Sequence, residues 1–188
     1  MALTKTPVCD FGKKAEDFKL KSIENKIISL NDVKGEKATL IMFICNHCPY
    51  VKAIIRELAK DCNELKKDGI NSIAIMSNDT KNYPEDSFDN MIKFAKKNNF
   101  GEINYLIDET QEIAKKYGAV CTPDFFGYNK ELKLQYRGRF RQLKDLKPAS
   151  GGDSDLKIAM KMISETQAGP KEQIPSMGCN IKLSLIHI

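Results

Sequence analysis

Apolar positions along the chain change period at clear points, and each change predicts an element. Ala38-Thr-Leu-Ile-Met-Phe-Ile44 is a nearly continuous apolar run of strand length, the pattern of a strand buried on both faces and therefore central in a sheet. From residue 49 the spacing turns helical: Val51, Ile54, Ile55, Leu58, Ala59, Cys62 and Leu65 fall on one face. Lys66, Lys67 and Gly69 then supply the cations and the glycine of a helix C-terminus. Residues 71–77 and 103–107 predict two further strands. Helices are predicted from Pro84 to about Asn99 through Phe88, Met91, Ile92 and Ala95, from Glu109 to Tyr117 before Gly118, and from Asp153 to Thr166. Phe125-Phe126 and Leu132 to Tyr136 predict two strands around a turn at Asn129-Lys130, and weak alternation from Lys26 to Leu30 after Glu24-Asn25 predicts a hairpin at the sheet edge. Strands alternating with helices in this way predict an α/β fold with helices on both faces of a sheet.

The length, 188 residues, fits one domain that can bury a core without disulfides. A chain 41% hydrophobic and 29% charged is neither collagen-like nor disordered. The net charge is +5, but the basic residues are scattered, which argues for a solvated surface and against a nucleic-acid partner. The longest strictly apolar run, Leu40 to Cys45, falls far short of the ~20 residues of a membrane span. The first residues, Met1 to Lys14, hold no apolar stretch of signal-peptide length, so the expected compartment is the cytoplasm. Six cysteines are too few for a disulfide scaffold, and in a reducing compartment a close pair points to catalysis or metal binding.

That pair is Cys45-Asn46-His47-Cys48, at the join between the predicted central strand and the amphipathic helix. The first turn of a helix has unpaired N–H groups and a positive dipole end, both favouring a thiolate. Two intervening residues let the sulfurs approach closely enough for a disulfide. Cys45, nearer the open end, is expected to attack a substrate disulfide and Cys48 to resolve the mixed disulfide, with His47 adding positive charge that makes the pair more oxidising. A second possibility is a carrier of soft metal such as Cu(I) or Zn(II), with Cys45, His47, Cys48 and Cys121 as ligands, although so short a spacing poorly aims three ligands at one ion.

The strand–Cys-x-x-Cys–helix, followed 73 residues after Cys48 by Cys121-Thr122-Pro123, resembles the thioredoxin-like superfamily. The segments Cys45 to Val51, Cys121 to Phe126, Tyr136 to Arg139 and Gly178 to Lys182 together are similar to the peroxiredoxin-like redoxins of the alkyl hydroperoxide reductase/thiol-specific antioxidant superfamily, over about Phe11 to Lys182. The resemblance implies a thioredoxin-like mixed sheet flanked by helices, with residues 71–99 as the redoxin insertion and Pro123 in cis facing the active-site cysteines. It also opens a peroxidase alternative, a hydroperoxide-reducing antioxidant with Cys48 peroxidatic. However, Cys45 stands where such enzymes carry a hydroxyl residue, and Thr122-Pro123 fills the place of an arginine. Relatives usually continue from Arg-Gly-Arg into an acidic pair, where this chain has Phe140-Arg141-Gln142.

The implied function is thiol–disulfide exchange with a protein or small-thiol partner and no cofactor. Cys45, Cys48, His47 and Pro123 are the principal residues, and Thr122, Cys121, Cys179 and Arg139 are accessory candidates. Cys62 reads as core and Cys9 as a lone thiol. Cys121 reads as packing or as a third redox thiol. Cys179 reads as structural, or as a resolving cysteine if the tail folds back. Arg137 and Arg139 read as solvated charges, Tyr50 as a residue at the mouth of the site or simply packed, and Asp86, Asp89 and Asp108 show no paired-carboxylate spacing. The expected organisation is a redoxin domain over 1–168, an extension carrying Cys179 over 169–182, and a terminal segment 183–188. Leu183 to Ile188 matches a translation of CTG TCT CTT ATA CAC ATC, similar to the end of a transposon used to build sequencing libraries, and is expected to be a translation scar.

Overall fold

The computed structural model describes residues 3–7, 10–149 and 151–184. Cys9, His187 and most of the predicted scar lie outside them. The elements run β1 (Leu3–Lys5), β2 (Lys19–Ser22), β3 (Ile27–Ser29), α1 (Leu30–Val33), β4 (Ala38–Phe43), α2 (Pro49–Lys67), β5 (Ile70–Met76), α3 (Phe88–Lys97), β6 (Asn104–Ile107), α4 (Glu112–Tyr117), β7 (Cys121–Thr122), β8 (Asp124–Asn129), β9 (Leu134–Tyr136), β10 (Leu143–Lys144), β11 (Lys147–Pro148), α5 (Asp155–Thr166) and β12 (Met177–Asn180).

A seven-stranded mixed sheet in the order β3-β2-β6-β5-β4-β8-β9 forms the body. β4 pairs in parallel with β5 and antiparallel with β8, which explains why all six of its residues are buried. Its alternate side chains feed two cores. Leu40 and Met42 pack with α2, α3 and α5 on one face, and Ile41 and Phe43 pack with α1 and α4 on the other. The hairpin β2–β3 stands at the edge, turned at Asn25 with φ 62°. α2 buries Val51, Ile54, Ile55, Leu58, Ala59, Cys62 and Leu65, the stripe read from the sequence, and each fully buried Leu or Ile there stabilises by about 1.5–3 kcal/mol.

Some boundaries differ from the periodicity. α4 begins at Glu112 because residues ahead of it form a turn in which Asp108 accepts from the Ile113 and Ala114 amides. α5 starts two residues later than predicted, where the Ser154 hydroxyl accepts from the Lys157 amide as an N-cap. Pro84–Asp86 forms a 3-10 turn before α3 instead of its first turn. The tail after α5 folds back: β12 lies between β1 and β7 in a small sheet, with Cys179 opposite Thr122. These strands are too short to carry a period, so no alternation announces them.

Candidate active site

The strand-to-helix join places the pair. β4 ends at Phe43, and residues 44–48 cross to α2, whose N-cap is Cys48 with Pro49 as first helical residue. The helix end therefore acts on Cys48. The expectation of an open Cys45 is corrected: Cys45 is 1% exposed and Cys48 0%.

Opposite them stands the loop between β7 and β8, with the Thr122–Pro123 peptide in cis. The Thr122 hydroxyl shares a 3.3 Å hydrogen bond with Cys45 Sγ, and the Thr122 carbonyl lies 3.2 Å from Cys48 Sγ, close enough to accept from the protonated thiol. Cys179 Sγ approaches Cys48 Sγ to 3.1 Å. The ionised form of Cys48 collects a donated thiol proton from Cys45, a second from Cys179, and the Val51 and Cys179 amides. Against the opposing cost of burial, these hold its pKa down to about 5. Cys45 is pushed the other way, first because its thiol donates to Cys48, then by burial and by the negative charge of Asp86. The two sulfurs of the pair are thus shifted in opposite directions, Cys48 toward the thiolate and Cys45 toward the thiol.

Asp86 is the functional residue that sequence reasoning missed. Its side chain is fully buried, and it accepts from the Asn46 amide at 2.7 Å, Asn78 Nδ2 at 2.8 Å and His47 Nδ1 at 2.7 Å. The Asp86 carboxyl therefore ties together the turn between the cysteines, the loop after β5 and the imidazole. The imidazole of His47 also stacks on Tyr83, with ring centroids 5.6 Å apart and planes within 8°. Asn46 Oδ1 accepts from the Tyr105 hydroxyl at 2.9 Å, which fixes the turn between the cysteines. The only signal for Asp86 was an acidic residue after Pro84, a common composition for a helix start.

Cys45, His47 and Asp86 bring ligand atoms within 4.8 Å of one another. This is not the expected metal set, since Asp86 replaces Cys48 and Cys121. Because the Asp86 oxygens and His47 Nδ1 are already engaged in hydrogen bonds, the arrangement suits proton handling better than ion binding. Cys121 is buried, its Sγ 3.6 Å from the Pro123 carbonyl that accepts from it, and burial pushes its thiol up. Cys62 packs in the core, pushed up to about 12 by burial. Arg139 pairs with Asp155 at 2.6 Å and does not reach the sulfurs. It lines, with Tyr50, Ile54, Pro123, Phe140 and Met177, a cavity of about 530 Å³ beside the cis-proline. Arg137 is not a solvated charge: it pairs with buried Asp124 at 3.0 Å and lies over the Phe126 ring.

The matching family model is the AhpC/TSA family, over residues 11–139. The chain belongs to that family, and its fold is thioredoxin-like. An uncharacterised conserved protein from Geobacillus kaustophilus is 41% identical, with a TM-score of 0.89 over 98% of each chain. A hypothetical protein from Sinorhizobium meliloti is 35% identical at a TM-score of 0.89, over 97% of this chain and 99% of its own. The thioredoxin domain of a thiol-disulfide oxidoreductase from Bacteroides vulgatus shares the fold at 19% identity and a TM-score of 0.58, over 69% of this chain and 89% of that one. No curated protein is matched. Family membership supports a redox function, that of an oxidoreductase. Among the described residues no helix is long and apolar enough to cross a membrane.

Proposed function

We propose that this chain is a thiol–disulfide oxidoreductase whose redox pair is Cys45 and Cys48, with Cys48 the ionised sulfur that attacks a substrate disulfide and Cys45 the thiol that resolves the mixed disulfide. The observation that carries this is the position of Cys48: it is the N-cap of a 19-residue helix, with Pro49 as the first helical residue and Cys179 Sγ 3.1 Å away. Attack by Cys48 gives a Cys48–substrate disulfide and releases one substrate thiolate. Attack by Cys45 on Cys48 Sγ then gives the Cys45–Cys48 disulfide and releases the second. Cys45 must lose its proton for that step, and the His47–Asp86 pair beside it is the group placed to take it. The cavity next to Pro123 receives the substrate, with Tyr50 and Phe140 as apolar contacts and Arg139 at its rim. The likeness to proteins described as thiol-disulfide oxidoreductases agrees with this reading.

The test is exchange with a disulfide substrate in the two serine variants. Cys45→Ser is expected to keep the first attack at Cys48, and Cys48→Ser to lose exchange. The opposite pattern, with the substrate trapped on Cys45, would reverse the roles.

Peroxide reduction is the second reading, favoured by the same ionised Cys48 followed by Pro49. The two arginines of the Arg-Gly-Arg segment do not serve the departing oxygen, because Arg137 is committed to Asp124 and Arg139 to Asp155. If Cys45→Ser keeps full hydrogen peroxide consumption and Cys48→Ser abolishes it, this reading replaces the first.

A further inference from the structure

The exchange mechanism uses two sulfurs, yet the structure holds a third against them. Cys179 Sγ is 3.1 Å from Cys48 Sγ, although 131 residues separate the two in sequence. A disulfide bond is ~2.05 Å long, so about 1 Å of movement separates contact from bond. Two features of the backbone fix the approach. β12 pairs antiparallel with β7, placing Cys179 opposite Thr122, the residue ahead of the cis-proline that faces the CxxC pair. Next to it, Gly178 sits so close to the loop that a Cβ there would lie 2.1 Å from the Thr122 carbonyl oxygen. Any side chain at 178 would push β12 off the proline loop, and with it the sulfur of Cys179. Both sulfurs are buried, and the Cys179 amide also faces Cys48.

Resting on the reading above, we infer that Cys179 is a third redox thiol, and that Cys48 is the shared sulfur of a three-cysteine relay that alternates between a Cys45–Cys48 and a Cys48–Cys179 disulfide. The steps balance. Cys48 thiolate attacks a substrate disulfide RS–SR′, forming Cys48–SR and expelling R′S⁻. Cys179 attacks Cys48 Sγ, forming Cys48–Cys179, while its proton goes to the released RS⁻. Cys45 attacks the same Cys48 sulfur, and Cys179 leaves as thiolate and takes up the proton that Cys45 loses. Two electrons pass from the chain to the substrate in the first two steps, and the third only moves the bond. A reducing dithiol resets whichever disulfide is present. The relay gives the mixed disulfide two escape routes and links the tail after α5 to the redox state of the pair.

The test uses the full chain, fully reduced and then treated with oxidised glutathione, quenched in acid, alkylated and mapped by peptide mass spectrometry. In Cys45→Ser the expected product is an intramolecular Cys48–Cys179 disulfide, with little glutathione left on Cys48. In Cys45→Ser combined with Cys179→Ser, Cys48 should stay glutathionylated. Gly178→Ala in the Cys45→Ser background should cut the Cys48–Cys179 product severalfold. If Cys45→Ser yields only glutathionylated Cys48 while the unaltered chain forms Cys45–Cys48, the relay is wrong and the pair stands. A Cys48–Cys179 bond in the unaltered chain with no Cys45–Cys48 bond at any time would uphold Cys179 as a redox thiol and remove the proposed pair.

Discussion

Helix α2 buries a cysteine at its start and another in its middle, and the two have opposite fates. Cys48 and Cys62 are both almost wholly withdrawn from water. Cys62, on the apolar stripe, is pushed up to about 12 by that burial, whereas Cys48 is held down to about 5. Burial alone therefore makes an inert thiol. What reverses it at Cys48 is a set of donors: the Cys45 and Cys179 thiols first, then the Val51 amide in the first turn of α2 and the Cys179 amide in β12. The difference between the two thiols lies in the donors around them and not in the residue type or its burial.

The largest expected difference is catalytic. Cys48→Ser should lower disulfide exchange by ~1000-fold or more, the scale of losing a nucleophile, while Cys62→Ala should leave the rate unchanged and cost ~1 kcal/mol of stability. Equal losses in both would erase the contrast.

Next in size is stability away from the site. Asp124 is clamped by Arg137 in a buried pair, so Arg137→Ala should destabilise by ~3–5 kcal/mol by leaving the buried Asp124 carboxyl without its cation, measured by urea unfolding. Burial, only partly offset by Arg137, raises the Asp124 carboxyl to about 6. A raised folded pKa means that this group's contribution to stability is fully present below the ordinary carboxylate value and is lost as pH rises through about 6.

The pH dependence of the thiols sharpens the comparison further. Thiolate ultraviolet absorbance and alkylation rate at Cys48 should rise through about pH 5, and Cys62 should stay unlabelled in the folded chain at neutral pH. For the reduced protein the sign follows from the depressed value: Cys48 contributes stability above its unfolded pKa of ~8.5, and that contribution fades as pH falls toward 5. A Cys48 titration near the ordinary thiol value would refute the donor account. Asp86→Asn removes a negative charge beside Cys45 and should move Cys45 ionisation to lower pH, read from the pH profile of the resolving step.

The smallest effect is expected at the cavity rim. The partly exposed Arg139–Asp155 pair should contribute less than ~1 kcal/mol to stability, so Arg139→Ala should show itself in KM for an acidic substrate and hardly at all in Tm.

The period of hydrophobic positions marked β4, α2, β5 and β8, and the strand–CxxC–helix join with Thr122-Pro123 downstream marked the place of the chemistry. Those signals are local: side chains at fixed intervals must share a face, whatever else the chain does. Which sulfur is ionised was decided elsewhere. It depends on Cys179 and Asp86, which lie 131 and 40 residues from their partners at Cys48 and Asn46. No spacing encodes such contacts, because β7 and β12 are too short for a period and a lone aspartate after a proline looks like any helix start. The sequence by itself determined the sheet, the helix and the two cysteines at their junction. Only the tertiary structure decided their charges, because a thiol's pKa is set by donors and burial that folding assembles from distant segments.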